Sequence, residues 1–160
     1  MTDADSAAAG ADELVFKMGE FGAAFPTDRR YAKNHMWAQG EGPVVRVGFT
    51  AYAVRLLQDV YFLEWTVDPR TAVVYRQEIG SIESKKAESA LYAPAAGRIV
   101  RFNERLLDDP SGINVDKYDS GWLFEIETDG VGLLEPTEYL AHLDDVWEVT
   151  QRTIKGQANA

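Results

Sequence analysis

The residues whose type and spacing suggest chemistry are two adjacent lysines, Lys85 and Lys86, in the segment 80–98. This segment reads Gly-Ser-Ile-Glu-Ser-Lys-Lys-Ala-Glu-Ser-Ala-Leu-Tyr-Ala-Pro-Ala-Ala-Gly-Arg. Residues alternate as in strands on both sides of a short polar centre, and this pattern predicts a β-hairpin. Its tip would hold both lysines in solvent, where the active site of another enzyme can reach an amine. From the spacing alone, a solvated turn with two surface charges is the favoured interpretation, and a reachable lysine that another enzyme modifies is the alternative.

Other kinds of catalytic or metal site have little support in the sequence. The chain has no cysteine, so it offers no disulfide, no thiolate nucleophile and no thiolate metal site. Its two histidines, His35 and His142, are far apart, and no serine–histidine pairing or phosphate-binding loop is found. Four aspartates lie close together without the spacing of a calcium-binding EF-hand, and turn capping is the role predicted for Asp108, Asp109, Asp116 and Asp119. We therefore expect a protein that is not itself an enzyme.

Composition sets the class of protein. The chain has 160 residues, of which 46% are hydrophobic, and this suits one globular domain. Sixteen basic residues against 26 acidic ones give a formal net charge of −10. Such a charge disfavours nucleic acid and anionic membranes as partners and favours proteins with basic docking faces. No apolar run approaches the ~20 residues that a membrane span needs, so we expect a soluble cytoplasmic protein.

Short strands and few helices are predicted around the hairpin. Thr50 offers an N-cap hydroxyl to a helix over residues 51–58, whose Ala53, Leu56 and Leu57 would face inward. Further strands are predicted at residues 44–48, 59–65, 97–103 and 122–126.

A C-terminal helix is predicted to open at Pro136, with Thr137 as its cap. Its apolar stripe comprises Leu140, Leu143, Val146 and Trp147. His142 lies off this stripe and is predicted to be exposed. Near the other end of the chain, His35 is expected to be structural rather than catalytic, and Trp37 to pack in the core.

Residues 83–94 resemble the lipoyl-attachment hairpin of glycine cleavage system H proteins. That pattern runs Glu-Ser-X-Lys-Ala, two or three variable positions, then Leu-Tyr-Ala-Pro. The resemblance places Lys86 at the lipoyl-attachment position and Lys85 at a variable one. It also implies that Glu83, Ser84 and Ala87 are recognition residues around the attachment lysine.

Two other segments extend the resemblance to about residues 31–150. Residues 31–37 resemble the family's Tyr-X-X-X-His-X-Trp opening, and residues 103–123 resemble its Asn…Asp-X-Pro…Asn-X-Asp-X-Tyr…Gly-Trp block without a gap. The chain departs from the family at Asn34 and Met36, where glutamates flank the histidine, and at Gln58, where glycine is usual. Residues 68–77 also differ, since the family more often has a glycine-rich turn there.

The resemblance implies a mainly β fold, a flattened β-barrel or sandwich of the lipoyl-carrier type, with a few short helices and a C-terminal helix. It implies lipoate covalently attached to Lys86 as a swinging arm that shuttles an aminomethyl group. The implied partners are a pyridoxal-phosphate glycine decarboxylase, a folate-dependent aminomethyltransferase, dihydrolipoyl dehydrogenase and a lipoate-attaching enzyme. Residues 31–155 would form the domain, preceded by an extension over 1–30 whose first part, 1–13, is predicted to be disordered, and followed by a frayed tail at 156–160.

Three other hypotheses remain. A biotinyl carrier uses a similar hairpin, but with a Met-Lys-Met centre that this chain lacks. A related lipoyl carrier could serve another pathway, such as sulfur oxidation. An unmodified interaction module could use the acidic surface alone.

Overall fold

The computed structural model describes residues 12–159, with side chains through Arg152. Most of the predicted disordered start therefore lies outside the described residues, and Glu13 begins the first strand. The strands are β1 (Glu13–Met18), β2 (Phe21–Pro26), β3 (Arg30–Tyr31), β4 (Met36–Gln39), β5 (Val44–Phe49), β6 (Val60–Trp65), β7 (Ala72–Val73), β8 (Glu78–Ser84), β9 (Glu88–Tyr92), β10 (Gly97–Phe102) and β11 (Phe124–Glu127). The helices are α1 (Ala51–Leu57), α2 (Glu104–Asp108), α3 (Gly112–Val115) and α4 (Pro136–Asn159).

Two antiparallel sheets form the sandwich. One sheet has six strands in the order β3-β4-β5-β11-β10-β7, and the other has three in the order β9-β8-β6. Alternating apolar residues of both sheets meet in one core, as expected for packed pleated sheets. Its central members are Val45, Val47, Leu63, Ile79, Ile82, Leu91, Ile99 and Ile126. The predicted fold class, a mainly β sandwich with a C-terminal helix, is confirmed.

A third, two-stranded sheet comes from the segment 13–26 before the predicted domain. β1 and β2 pair as a hairpin, and Gly19 has a φ of 65° in the tight turn between them. This conformation is one that glycine adopts without strain. The inner side of the hairpin buries Phe16 and Phe25 in a second core with α1 and α4. The predicted division of the chain at residues 30 and 155 stays a prediction.

Aromatic rings fill this second core. The Phe25 ring lies 5.2 Å from that of Tyr139 in an edge-to-face contact, and Tyr139 stacks on Tyr31 at 4.8 Å. Phe16 contacts Tyr52 at 6.2 Å and Trp147 at 6.4 Å. Such pairs add to the stability that comes from burial alone.

The helix caps follow the sequence in one case and not in the other. The Thr50 hydroxyl accepts a hydrogen bond from the Ala53 backbone N–H at 3.4 Å, so it caps α1 as predicted. The predicted Thr137 cap is wrong, because α4 already begins at Pro136. There the Glu138 carboxylate accepts the Glu135 backbone N–H at 2.8 Å, as in a capping box.

The predictions about packing are confirmed except for that of His142. Ala53 and Leu56 of α1 face inward as predicted: both are half-buried, with Ala53 packed against the main core and Leu56 against the second core, and Leu57 is buried. His142 is half-buried rather than exposed, because its ring lies 6.0 Å from that of His35. The departure at Gln58 leaves the backbone in a glycine-like conformation, with a φ of 60°, at the end of α1. Trp37 is in the core as predicted.

Candidate functional site

The predicted hairpin is present as β8 and β9. Glu83 pairs with Glu88 and Ile82 with Ser89, and the ladder continues through Leu91. At the tip, the Ser84 backbone N–H donates to the Ala87 carbonyl oxygen at 2.8 Å. Four residues, Ser84 to Ala87, therefore make a closed turn with both lysines at its centre.

The side chain of Ser84 holds this turn together. Its hydroxyl oxygen lies 3.3 Å from the backbone nitrogen of Lys86 and 3.2 Å from that of Ala87, and it accepts both N–H groups. The residue is only 4% exposed. The turn therefore has an internal support that fixes the backbone of Lys86, and Ser84 is a structural residue of the tip.

The two lysines differ in how they are held. Both side chains are exposed, and neither makes an ion pair with another residue in the described part of the chain. The backbone N–H of Lys85 donates to the Asp59 carbonyl oxygen at 2.8 Å, which ties the tip to the connection between α1 and β6. The backbone N–H of Lys86 bonds within the turn. The site thus presents a free amine on a rigid support.

The other two predicted site residues flank the lysines differently. Ala87 is half-buried and packs against the main core. Glu83 is half-buried on the outer side of the hairpin sheet, where Phe62 of β6 and Glu88 of β9 are its neighbours across the strands. The roles of Lys86, Glu83, Ser84 and Ala87 in attachment and recognition stay predictions.

A side-chain relay that sequence reasoning missed positions Asp59, and with it the tip. The Asn114 amide oxygen accepts the Val60 N–H at 2.9 Å, and its amide nitrogen donates to the Gln58 carbonyl oxygen at 2.7 Å. These two bonds hold the backbone on either side of Asp59, whose carbonyl oxygen receives the Lys85 N–H. Asn114 lies in the segment 103–123 that carries the family resemblance. That resemblance is the feature of the sequence that could have indicated a role for this residue.

In the same segment two of the four predicted turn-capping aspartates, Asp109 and Asp116, make such contacts, and the capping role of Asp108 and Asp119 stays a prediction. Asp109 accepts hydrogen bonds from the N–H and hydroxyl of Ser111, and Asp116 does the same with Ser120. The Asn103 side chain donates to the carbonyl oxygens of Ser120 at 3.0 Å and Trp122 at 2.8 Å. Within residues 12–152, no group of three or more histidine, cysteine or acidic side chains is arranged to hold a metal ion.

A groove of about 340 Å³ runs beside β9, between the start of β4 and α1. Apolar side chains line most of it, with Lys33, Asn34, His35 and Ser89 as the polar exceptions. The apolar lining comprises Met36, Phe49, Ala53, Leu56, Leu57, Ile82, Ala90, Leu91 and Tyr92. None of these lining residues is a carboxylate. Asn34 is fixed there because its amide nitrogen donates to the Tyr92 carbonyl oxygen at 2.9 Å.

His35 has buried partners. Its Nδ1 lies 2.9 Å from the Tyr139 hydroxyl, which lies 3.0 Å from the Thr50 hydroxyl. Burial, and secondly the nearby His142, lower the pKa of His35 to about 4. Burial also raises the pKa of Tyr139 well above its ordinary value. A neutral imidazole in this network joins the turn before β4 to α4, and this suits a structural role.

The chain is similar to known proteins over most of its length. The family model described as "Glycine cleavage H-protein" matches residues 29–152. The chain is 44% identical over 122 residues to a probable glycine cleavage system H protein of Natronomonas pharaonis, covering 74% of this chain and 95% of that protein. It is 39% identical over 124 residues to the glycine cleavage system H protein of Myxococcus xanthus, covering 75% of this chain and 95% of that protein.

A solved structure agrees with these sequence matches. The crystal structure of a glycine cleavage system H protein from Mycobacterium marinum superposes with a TM-score of 0.66 at 37% identity, covering 73% of this chain and 97% of that one. The hairpin of β1 and β2 lies outside the range of the family match. In the described part of the chain, no helix is long and apolar enough to cross a membrane.

Proposed function

The chain belongs to the glycine cleavage H-protein family, and from this premise we propose that it is a lipoyl carrier with its arm on Lys86. The observation that carries the proposal is the tip geometry: an exposed amine whose backbone is fixed by Ser84. A modifying enzyme needs a target of one shape, and a closed turn on a paired hairpin supplies it. Lipoate would be attached by an amide bond to the Lys86 amine.

Each neighbour of Lys86 has a role in this proposal. Ser84 stabilises the turn through its hydroxyl, and Ala87 packs the turn against the main core. Glu83 offers a carboxylate to a basic group of the lipoate-attaching enzyme, which would assist encounter. Lys85 is not the proposed target, and two observations support this choice: its backbone is bonded to Asp59 outside the turn, and adjacent residues in a turn point in different directions.

We propose further that the cargo is the aminomethyl group of glycine cleavage. The dithiolane of bound lipoate supplies the sulfur chemistry that accepts this group, and the chain supplies position and docking. The partners would be the pyridoxal-phosphate decarboxylase, the folate-dependent aminomethyltransferase and dihydrolipoyl dehydrogenase, in the cytoplasm. The net charge of −10 supports weak, electrostatically steered contacts with several enzymes in turn.

One observation favours a second candidate, a lipoyl carrier of another pathway such as sulfur oxidation. An arm on Lys86 that folds back along β9 reaches the groove at Ser89 within about 10 Å, since a strand rises ~3.3 Å per residue. A protonated amine in an apolar groove needs a carboxylate partner. Asn34 and Met36, which replace the family's glutamates, provide none, whereas an uncharged or anionic cargo needs none.

Reconstituted exchange of carbon between glycine and bicarbonate tests the proposal. Fully lipoylated protein is mixed with the pyridoxal-phosphate decarboxylase of the same host, and exchange is expected. Lipoylation without exchange would leave a carrier of another pathway. An intact mass that shows no lipoyl group, after exposure to lipoate and an attaching enzyme, would instead favour the unmodified interaction module.

A further inference from the structure

One face of the three-stranded sheet carries an aromatic ring and two carboxylates in a row across its strands. Phe62 pairs with Glu83 in the β6–β8 ladder, and Glu83 pairs with Glu88 in the β8–β9 ladder. Directly opposite residues of an antiparallel pair point to the same side of the sheet. Phe62 is 39% exposed, Glu88 is exposed and Glu83 is half-buried. We call this row of three side chains the hairpin strip.

The strip contains an unfavourable arrangement in the free protein. Glu83 and Glu88 are like charges directly opposite each other, which is destabilising in a sheet. Neither carboxylate makes an ion pair or a side-chain hydrogen bond within residues 12–152. A basic group from another molecule, placed over both carboxylates, would remove this repulsion.

A β-bulge brings the aromatic ring into the strip. Val60 pairs with Ser84, and regular pairing would then set Tyr61 opposite Glu83. The register shifts between Val60 and Phe62 instead, so Phe62 takes that place and Tyr61 is left out of the ladder. Bulges re-aim side chains, often beside functional sites.

We propose that the hairpin strip is the docking surface for the lipoate-attaching enzyme, through basic side chains over Glu83 and Glu88 and an apolar recess for Phe62. This rests on the proposed lipoylation of Lys86. The strip adds Phe62 and Glu88 to the recognition residues implied by the motif. Neither residue was predicted from the sequence to take part in recognition.

The distance from the tip at which an enzyme must bind distinguishes the lipoate-attaching enzyme from the enzymes that use the attached arm. Before modification only the lysine side chain extends from the tip, so the attaching enzyme must lie against the residues beside Lys86. Glu83 and Glu88 stand three residues before and two after it, and they are the last paired residues of the ladder. An enzyme that acts on the end of the attached arm can keep a greater distance from the tip.

The test measures lipoylation of the full chain by a purified lipoate–protein ligase with lipoate and ATP, followed by intact mass. The variants are Phe62→Ser, Glu88→Gln and the double variant Glu83→Gln/Glu88→Gln. We expect kcat/KM to fall about fivefold for each single variant and more for the double variant, mainly through KM, because docking precedes chemistry. In the double variant, kcat/KM for lipoylation should also depend much less on salt concentration than in the parent.

Matched controls separate docking from folding. Glu78→Gln removes an exposed charge at the other end of β8, and Val100→Ser removes an exposed apolar side chain on β10 of the other sheet. Both should be lipoylated like the parent. The double variant should keep or raise the Tm, because it removes the like-charge repulsion.

If Phe62→Ser and Glu88→Gln are lipoylated with the kcat/KM of the parent, the hairpin strip is not the docking surface. The proposed function would stand, because Lys86 would still be lipoylated. The same holds if these variants are lipoylated normally but impair transfer from the attached arm, since the strip would then belong to another enzyme. A parent protein that takes no lipoate at Lys86 would overturn the proposed function itself.

Discussion

Asn114 holds the backbone of Gln58 by a hydrogen bond of 2.7 Å from its side-chain amide, although 56 residues separate the two. Its amide oxygen accepts the N–H of Val60, so one side chain fixes both neighbours of Asp59. The Asp59 carbonyl oxygen then receives the Lys85 N–H. The position of the attachment turn thus depends on a residue that lies far from it in sequence.

Asn114→Ala tests this relay. It leaves the Val60 N–H and the Gln58 carbonyl oxygen without their partner, and each such group costs about 1–3 kcal/mol when buried. Urea unfolding should show a loss of about 2–4 kcal/mol. Lipoylation of Lys86 should also slow at a temperature where the variant is folded. Ser120→Ala in the same segment is the control, since its hydroxyl bond to Asp116 is exposed. Unchanged lipoylation in a folded Asn114→Ala variant would contradict the relay.

Lys86, and not Lys85, is expected to carry the arm. The Lys85 backbone is tied to Asp59, whereas the Lys86 N–H bonds to Ser84 inside the turn. Lys86→Arg should abolish lipoyl incorporation and Lys85→Arg should retain it, as measured by peptide mapping. A lipoyl group on Lys85, or incorporation into Lys86→Arg, would refute the assignment.

Ser84→Ala should disturb the tip more than its small volume change suggests. The Lys86 and Ala87 N–H groups lose their acceptor, and we expect about 1–3 kcal/mol lower stability together with slower lipoylation. Ser84→Thr keeps the hydroxyl and should recover much of the rate. Ser89→Ala serves as a control because that hydroxyl bonds only to the adjacent Ala90 carbonyl oxygen. A Ser84→Ala variant lipoylated at the parent rate would remove the turn-fixing role.

The attachment hairpin could be predicted from sequence because its signal is local. Alternation, a polar centre and the contiguous motif all lie within residues 80–98. The Asn114 relay could not be derived in this way, since its partners are more than fifty residues away and only folding brings them together. The pairing of Phe62 with Glu83 could not be predicted either, because it depends on a bulge in β6 that the periodicity of the sequence does not reveal.

The second core was only partly foreseen. Tyr139 precedes Leu143 by one helical turn and is completely buried, yet the predicted stripe began at Leu140. Gly19 and Gly22 disfavour a long helix near the start of the chain, but they do not by themselves identify a hairpin. Apolar runs with glycines fit several folds, and tertiary packing selects among them.

The β1–β2 hairpin should be an integral part of the fold. Phe25 is 1% exposed and contacts Tyr31 and Tyr139. Phe25→Ala should lower the unfolding free energy by about 3–5 kcal/mol, the usual range for removing a buried aromatic ring. Val15→Ala, on the exposed side of the same hairpin, should change it by less than about 0.5 kcal/mol. Equal stabilities for the two variants would mean that the hairpin does not contribute to the core.

His35 should make the stability of the fold depend on pH between about 6.5 and 4. Its pKa is lowered to about 4 in the folded protein, by burial and then by His142, whereas an unfolded histidine titrates near 6.5. Between these values the unfolded chain binds more protons, so stability falls as the pH falls. The stabilisation is complete above about 6.5, and at most about 3 kcal/mol is lost below 4, since each pKa unit corresponds to ~1.4 kcal/mol.

His35→Asn removes this titration while keeping a residue that tolerates the positive φ of 70° at this position. Urea unfolding at pH 7.5, 5.5 and 4.5 should therefore show a smaller loss of stability on acidification in the variant than in the parent, because carboxylates contribute to both and cancel in the difference. His142→Gln should give an intermediate slope, since it removes the neighbouring imidazole that lowers the pKa of His35 but leaves its burial and its contact with Tyr139. Parallel pH profiles for the parent and His35→Asn would show that the imidazole keeps an ordinary pKa, and that the network with Tyr139 and Thr50 does not depend on its neutral form.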